Sequence, residues 1–272
     1  MSCTPSILLF PVAFPTFVIP KWYEPFQRGF YCTDVSLRYP YHDDTITMEM
    51  LLVGGGCLSI FMDWFAAYIW DSVSTIANFL YGCVFTCLLT EVGKHAVGRL
   101  RPHFLDICQP KWSKIDCKNH QYDYIDPIQC TSTNKRDMKE ARMSFPSGHA
   151  SFSAFTMVFY VVYLEKCHMN RIPIRVLRLV QAVCLTAAFY ISLSRITDNM
   201  HHWEDVMFGF MLGTTVAIVI TRDVIPLNMG SSSLPWKQLN RNYFLQFPGA
   251  CCGVYCDCVC LLYVVTKPEA DK

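Results

Sequence analysis

Three short stretches of this chain carry side chains suited to handling a negatively charged group. The first is Lys94-His-Ala-Val-Gly-Arg-Leu-Arg101-Pro102. As one continuous helix it would set Lys94 and Arg101, two turns apart, on a shared face. Pro102 would then end the helix, because its ring clashes with the preceding turn. Two such cations beside an apolar helix call for an anion opposite, although alone they read as a solvated basic patch. The second stretch is Ser144-Phe-Pro146-Ser147-Gly148-His149, which runs directly into an apolar segment from Ala150. Ser147 suits a helix N-cap, Gly148 lets backbone approach a ligand closely, and the free N–H groups of a helix start attract anions. Alone, His149 is an interfacial histidine on a capped helix. The third is Ser194-Arg195-Ile-Thr-Asp-Asn-Met-His201-His202-Trp203-Glu204-Asp205. His201 and Asp205 stand at i and i+4, a spacing at which the carboxylate is expected to hold the imidazole and fix its tautomer. Chance pairs of this kind are frequent, so this stretch is also weak by itself.

Brought to one surface, the three stretches describe a specific chemistry. A transferring phosphoryl group spreads its charge over three equatorial oxygens. Lys94, Arg101 and Arg195, with Ser147 and the Gly148 backbone, would supply cations and donors to stabilise that charge. The planar arginine fork pairs bidentately with phosphate oxygens. Two histidines permit in-line displacement, one attacking phosphorus while the other protonates the departing alkoxide. No tight His, Cys and carboxylate cluster of zinc-ligand spacing occurs in the core region. Nothing in the charge pattern suggests a nucleic-acid partner.

The ordered set Lys-x6-Arg-Pro, Pro-Ser-Gly-His and Ser-Arg-x5-His-x3-Asp resembles the type 2 phosphatidic acid phosphatase superfamily. All three motifs are complete, at Lys94/Arg101/Pro102, Pro146/Ser147/Gly148/His149 and Ser194/Arg195/His201/Asp205. Pro25-Phe-Gln-Arg-Gly-Phe-Tyr-Cys32, Tyr39-Pro-Tyr41 and Gly98-Arg-Leu-Arg-Pro-His-Phe-Leu-Asp106 look like its lipid phosphate phosphatase branch. The resemblance covers roughly residues 25–221. It implies that His201 is a nucleophile forming a phosphohistidine, that Asp205 orients it, and that His149 is the leaving-group acid. It further implies that Lys94, Arg101, Ser147, Gly148 and Arg195 hold the phosphate, without metal or cofactor. The implied substrates are lipid phosphate monoesters such as phosphatidate, lysophosphatidate, ceramide 1-phosphate and sphingosine 1-phosphate. His95, His103 and His202 receive no catalytic role. Two alternatives stay open: a catalytically impaired membrane binding or scaffold relative, and a phosphatase of soluble phosphate esters.

These residues must be positioned by a membrane protein. Of the 272 residues, 52% are hydrophobic and only 17% charged, against about a quarter charged in soluble domains. A helix needs roughly 20 apolar residues to cross a bilayer. Spans are expected at about Thr47–Trp70, Ser72–Val92, Ala150–Leu164, Val176–Leu193 and Trp203–Ile220, with Ser6–Ile19 a short, proline-interrupted first span. The fold class is therefore all-α: a polytopic bundle of about six transmembrane helices. The link Glu165–Arg178 carries Lys166, Arg171, Arg175 and Arg178, which makes it cytosolic by the positive-inside rule. Alternation then puts Pro20–Ile46, Gly93–Gly148 and Ser194–His202, and so the catalytic site, on the non-cytosolic face of a plasma or internal membrane.

Domain organisation reads as a membrane-embedded unit at 1–225 and a cysteine-rich tail at 226–272. Cys57, Cys83, Cys87 and Cys184 fall in apolar stretches, as small hydrophobes. Cys32, Cys108, Cys117 and Cys130 fall in polar loops, where one or two disulfides are expected and three pairings are open. The link around Asp71 is unusually short. The tail cluster Cys251, Cys252, Cys256, Cys258 and Cys260 suits palmitoylation better than zinc. Lipid substrate and bilayer are the expected partners, and homo-oligomerisation is left open.

Overall fold

The computed structural model of the chain describes residues 5–66, 72–115, 117, 122–167 and 173–224. The tail with its cysteine cluster and the link at Asp71 lie outside the described residues. Six long helices fall on the stretches where spans are expected: α1 (Pro5–Trp22), α2 (Met48–Ala66), α3 (Ser72–Val97), α6 (Gly148–Cys167), α7 (Ile174–Thr197) and α8 (Trp203–Val224). Two short helices, α4 (Phe104–Cys108) and α5 (Lys135–Glu140), and a two-stranded pairing of β1 (Phe30–Tyr31) with β2 (Tyr124–Ile125) lie between them. The chain is an all-α membrane bundle. Three helical segments, Ile76–Val97, Ile174–Thr197 and Trp203–Arg222, are long and apolar enough to cross a bilayer by length and composition. Leu179, Val183, Phe189 and Tyr190 on α7, with Met211 and Val219 on α8, stand exposed. Such a continuous apolar surface suits lipid rather than water.

Helix α6 occupies the centre, packed on α8, α7, α3 and α2. At mid-bundle the contact is aromatic: Phe79 lies 5.7 Å from Phe155 and 5.3 Å from Phe159, centroid to centroid. Nearer the site the packing becomes small. Ala150 and Ser151 of α6 face Gly209 and Gly213 of α8, and a Cβ on Gly213 would collide with the Ser151 carbonyl oxygen. Small residues let backbones approach closely where lipid supplies no hydrophobic drive between helices. This approach brings the α6 start against the α8 start, and those two ends carry His149 and Asp205.

Helix α3 ends at Val97, earlier than the sequence reading required. Gly98 adopts φ +56°, and its N–H donates to the Lys94 carbonyl at 3.1 Å, a left-handed cap natural to glycine. Lys94 is therefore the last-turn residue of a helix, whereas Arg101 lies beyond it in irregular chain, its carbonyl accepting from Phe104 N–H at 2.9 Å. The two do not share a helical face; the turn at Gly98, not helical register, brings Arg101 round.

The segment after that turn is held by an outer cap. Arg101 N–H donates to the Ala141 carbonyl and Ser144 N–H to the Arg99 carbonyl, both at 2.9 Å. Phe30, Leu37, Leu100, Phe104, Leu105 and Ala141 form the small core beneath. Of the three possible pairings, the loops adopt Cys32–Cys117 and Cys108–Cys130. Gly213→Val should remove the folded, monodisperse fraction in detergent, at a cost of several kcal/mol. Gly54→Ala, on α2 with open space around it, should leave the melting temperature unchanged or slightly higher. Equal behaviour of the two variants would contradict the α6–α8 packing.

Candidate active site

The site is assembled from the ends of α3, α6, α7 and α8. Ser147 caps α6, its Oγ accepting from Ala150 N–H at 3.4 Å and its carbonyl from Ser151 N–H at 3.0 Å. Ser147 N–H in turn donates to the Asp205 carbonyl at 3.0 Å. Helix α7 is stopped by Asn199 in the left-handed conformation (φ 56°), which asparagine tolerates. The turn that follows buries His201 and starts α8 at Trp203. His202 N–H donates to Asp205 Oδ2 at 3.1 Å, the return half of a capping box, and this fixes where the Asp205 side chain lies.

Asp205 is fully buried and collects four donors. Arg99 Nη1 donates to Oδ1 at 2.6 Å, Ser144 Oγ to Oδ2 at 2.5 Å, and both His202 N–H and His202 Nδ1 (3.2 Å) approach Oδ2. His201 is not among them. Its Nδ1 donates instead to the Ser144 carbonyl at 2.7 Å. The expected direct carboxylate–imidazole contact is thus replaced by a backbone carbonyl. The reason is register: Asp205 lies in the first turn of α8, where its carboxylate folds back to the helix start, while His201 precedes the helix.

His201 with Nδ1 as donor presents Nε2 as a lone pair. Burial holds its pKa well below the ordinary value, and the charges of Arg101 and Lys94 lower it further; the ring is neutral. His149 lies just ahead of the apolar run Ala150–Leu164. Burial, then the charge of Arg195, lower its pKa to about 4. The Ile46 backbone lies beside the ring, and its buried Nε2 has no partner among the described residues.

The cations converge electrostatically. His201 feels Arg101, Lys94 and His149; His149 feels Arg195 and Lys94; Arg101 feels Arg195. Lys94 Nζ lies 3.5 Å from where a Cβ on Gly148 would stand, so the lysine is against the α6 start. Carboxylates hold the cations meanwhile. Lys94 pairs with Glu91 at 2.7 Å, and Arg195 with Asp44 at 2.8 Å and Asp198 at 2.7 Å. Arg101 leaves its buried Nε unpaired. Ligand-free, each basic group of the cradle is either countered by an acid or left with an unmet donor.

The structure therefore brings Lys94, Arg101, Ser147, Gly148, His149, Arg195, His201 and Asp205 to one end of the bundle. Sequence reasoning missed Arg99, Ser144, Glu91, Asp44 and Asp198. Ser144 stood at the head of its own motif and Arg99 inside another, but no spacing rule linked either to Asp205, more than sixty residues away. His202, set aside as a neighbour of no consequence, helps hold Asp205. Among the described residues, no group of three or more His, Cys, Asp or Glu is arranged to hold a metal ion.

Residues 75–228 match the sequence profile described as the PAP2 superfamily. Phospholipid phosphatase 1 of Rattus norvegicus is 36% identical over 225 residues, covering 76% of this chain and 78% of that one. The Mus musculus protein of the same name shows the same identity and coverage. Phospholipid phosphatase 2 of Homo sapiens is 33% identical over 229 residues, covering 78% of each. No solved structure matches the chain significantly.

A dianion in the cradle should raise the His149 pKa from about 4, since negative charge favours the imidazolium. Sulfate, a dianion throughout this range, should therefore bind at pH 6 with net proton uptake. Calorimetry in buffers of differing ionisation enthalpy reads that uptake. His149→Gln should abolish it, and uptake unaltered in that variant would show that the proton goes elsewhere.

Proposed function

The chain belongs to the PAP2 superfamily, and from that premise we propose that it is a lipid phosphate phosphohydrolase working through a phosphohistidine without metal. One observation carries the reading. The buried, unpaired Nε2 of His149 and Nε of Arg101 border a neutral His201 whose Nδ1–H is already committed. An unmet buried donor costs about 1–3 kcal/mol; an anion seated there accepts from Arg101 Nε, and from His149 Nε2 once that ring is protonated.

Catalysis then runs in two displacements. His201 Nε2 attacks phosphorus; the phosphorus–oxygen bond to the lipid breaks, and the departing alkoxide takes a proton from His149, which has drawn that proton from solvent under the charge of the bound phosphate. Lys94, Arg101, Arg195, the Ser147 hydroxyl and the Gly148 backbone N–H hold the equatorial oxygens. Water then attacks phosphorus, His149 removes its proton, and the phosphorus–nitrogen bond breaks to restore neutral His201. In the first step the cations stabilise charge that grows on oxygens fixed in place.

A site at helix ends suits a substrate whose chains stay in the bilayer, and this favours lipid phosphate monoesters such as phosphatidate and lysophosphatidate. The names of the relatives favour the same class. The site is assigned to the non-cytosolic face: the basic link 165–178 leaves the opposite end of α6. The two disulfides lie in the outer cap near the site and suit an oxidising compartment.

Purified protein in detergent should release phosphate from phosphatidate in excess EDTA, and much less from a sugar phosphate. His201→Ala should lower release by at least about 10³-fold, as loss of a nucleophile does, and should remove acid-labile phosphoprotein. Activity that requires added metal, or normal turnover in His201→Ala, contradicts the mechanism; preference for the sugar phosphate contradicts the lipid assignment.

A further inference from the structure

We infer that Ser144 is the positioning residue of the attacking imidazole, and that Asp205 acts on His201 through Ser144 rather than by touching it. The inference rests on the phosphohistidine reading above. It follows from counting donors and acceptors. A neutral imidazole has one N–H and one lone pair. The lone pair must remain free at Nε2 to attack, so a single hydrogen bond at Nδ1 can set the ring. In this protein that bond ends on the Ser144 carbonyl at 2.7 Å.

A carboxylate offers about four acceptor sites. On Asp205, Arg99 Nη1 donates to Oδ1, while Ser144 Oγ, His202 N–H and His202 Nδ1 converge on Oδ2. His201 is not among its partners; its Nδ1–H goes to the Ser144 carbonyl. Ser144 has every polar group committed: its N–H to the Arg99 carbonyl, its Oγ–H to Asp205 and its carbonyl to His201. It is fully buried, so water does not substitute for any of these. The hydroxyl bond to Asp205 pins one side of the residue, and the bond to Arg99 pins the other. Together they aim the carbonyl, and the carbonyl aims the ring. Arg99 enters twice, through its carbonyl at Ser144 and its guanidinium at Asp205.

The test is a kinetic cycle on phosphatidate in detergent micelles, with kcat and KM read separately for wild type, Ser144→Ala, Asp205→Asn and the double variant. Ser144→Ala keeps the carbonyl but loses its anchor. It should lower kcat about 10- to 100-fold, the scale of a small misplacement of a reacting group, with KM changed less than about threefold because the phosphate cations are untouched. In the Asp205→Asn background the same change should alter kcat by less than about threefold, since linked residues lose function together. Should Ser144→Ala lack a melting transition, Ser144→Cys, close in size but a weak donor, replaces it with the same expectations. A single variant with kcat within twofold of wild type, or losses that multiply in the double variant, overturns the inference. Wild-type protein inactive on phosphatidate would instead overturn the phosphatase reading.

Discussion

The arrangement depends on one buried anion. Asp205 is removed from water completely, and an ionised carboxylate in that position is tolerated only when its charge and lone pairs are met. It meets them by drawing on all three motif stretches: Arg99 from the first, Ser144 from the second and His202 from its own. Its backbone carbonyl adds Ser147, the cap of α6. Breaking such a buried pair by removing one partner costs about 3–5 kcal/mol. The same contacts that avoid that cost set the relative places of His201, the start of α6 and the basic loop 99–101.

The rest of the fold makes this convergence possible. Close α6–α8 contact through small residues brings two helix starts together, and the N–H groups of a helix start favour anions. The outer cap, closed by two disulfides, keeps Arg99–Arg101 beside Ala141–Ser144. A membrane bundle satisfies its backbone internally along the spans, so irregular chain and charged side chains gather at its ends. The proposed catalytic residues lie where the fold permits polar chain.

Much of this was legible in the sequence, for physical reasons that differ by residue. Long apolar runs gave the helices, because bilayer thickness dictates their length. Pro146-Ser147-Gly148 gave the start of α6, because capping is local. Arg101 was misplaced: the left-handed turn at Gly98 depends on the Phe26 carbonyl packed against it, a contact distant in sequence. The Asp205–His201 spacing was right for two residues inside one helix, but the helix starts between them. Ser144, Glu91, Asp44 and Asp198 act as partners of other motif residues. Such roles come from tertiary contact, which spacing within one stretch does not encode, and the same holds for the choice of Cys32–Cys117 over other pairings.

Carboxylates hold two of the three cations of the cradle, with Asp44 and Asp198 on Arg195 and Glu91 on Lys94. A phosphate must compete with these acids, and its advantage is that one dianion faces several cations together. The most direct measurement is an experimental structure of the protein with vanadate, which adopts the five-coordinate geometry of the phosphoryl transition state. The account predicts vanadium bonded to His201 Nε2, equatorial oxygens on Lys94, Arg101 and Arg195, and His149 at the apical oxygen opposite. Vanadate bound to another residue, or the three cations too far apart to reach one ion, would contradict it.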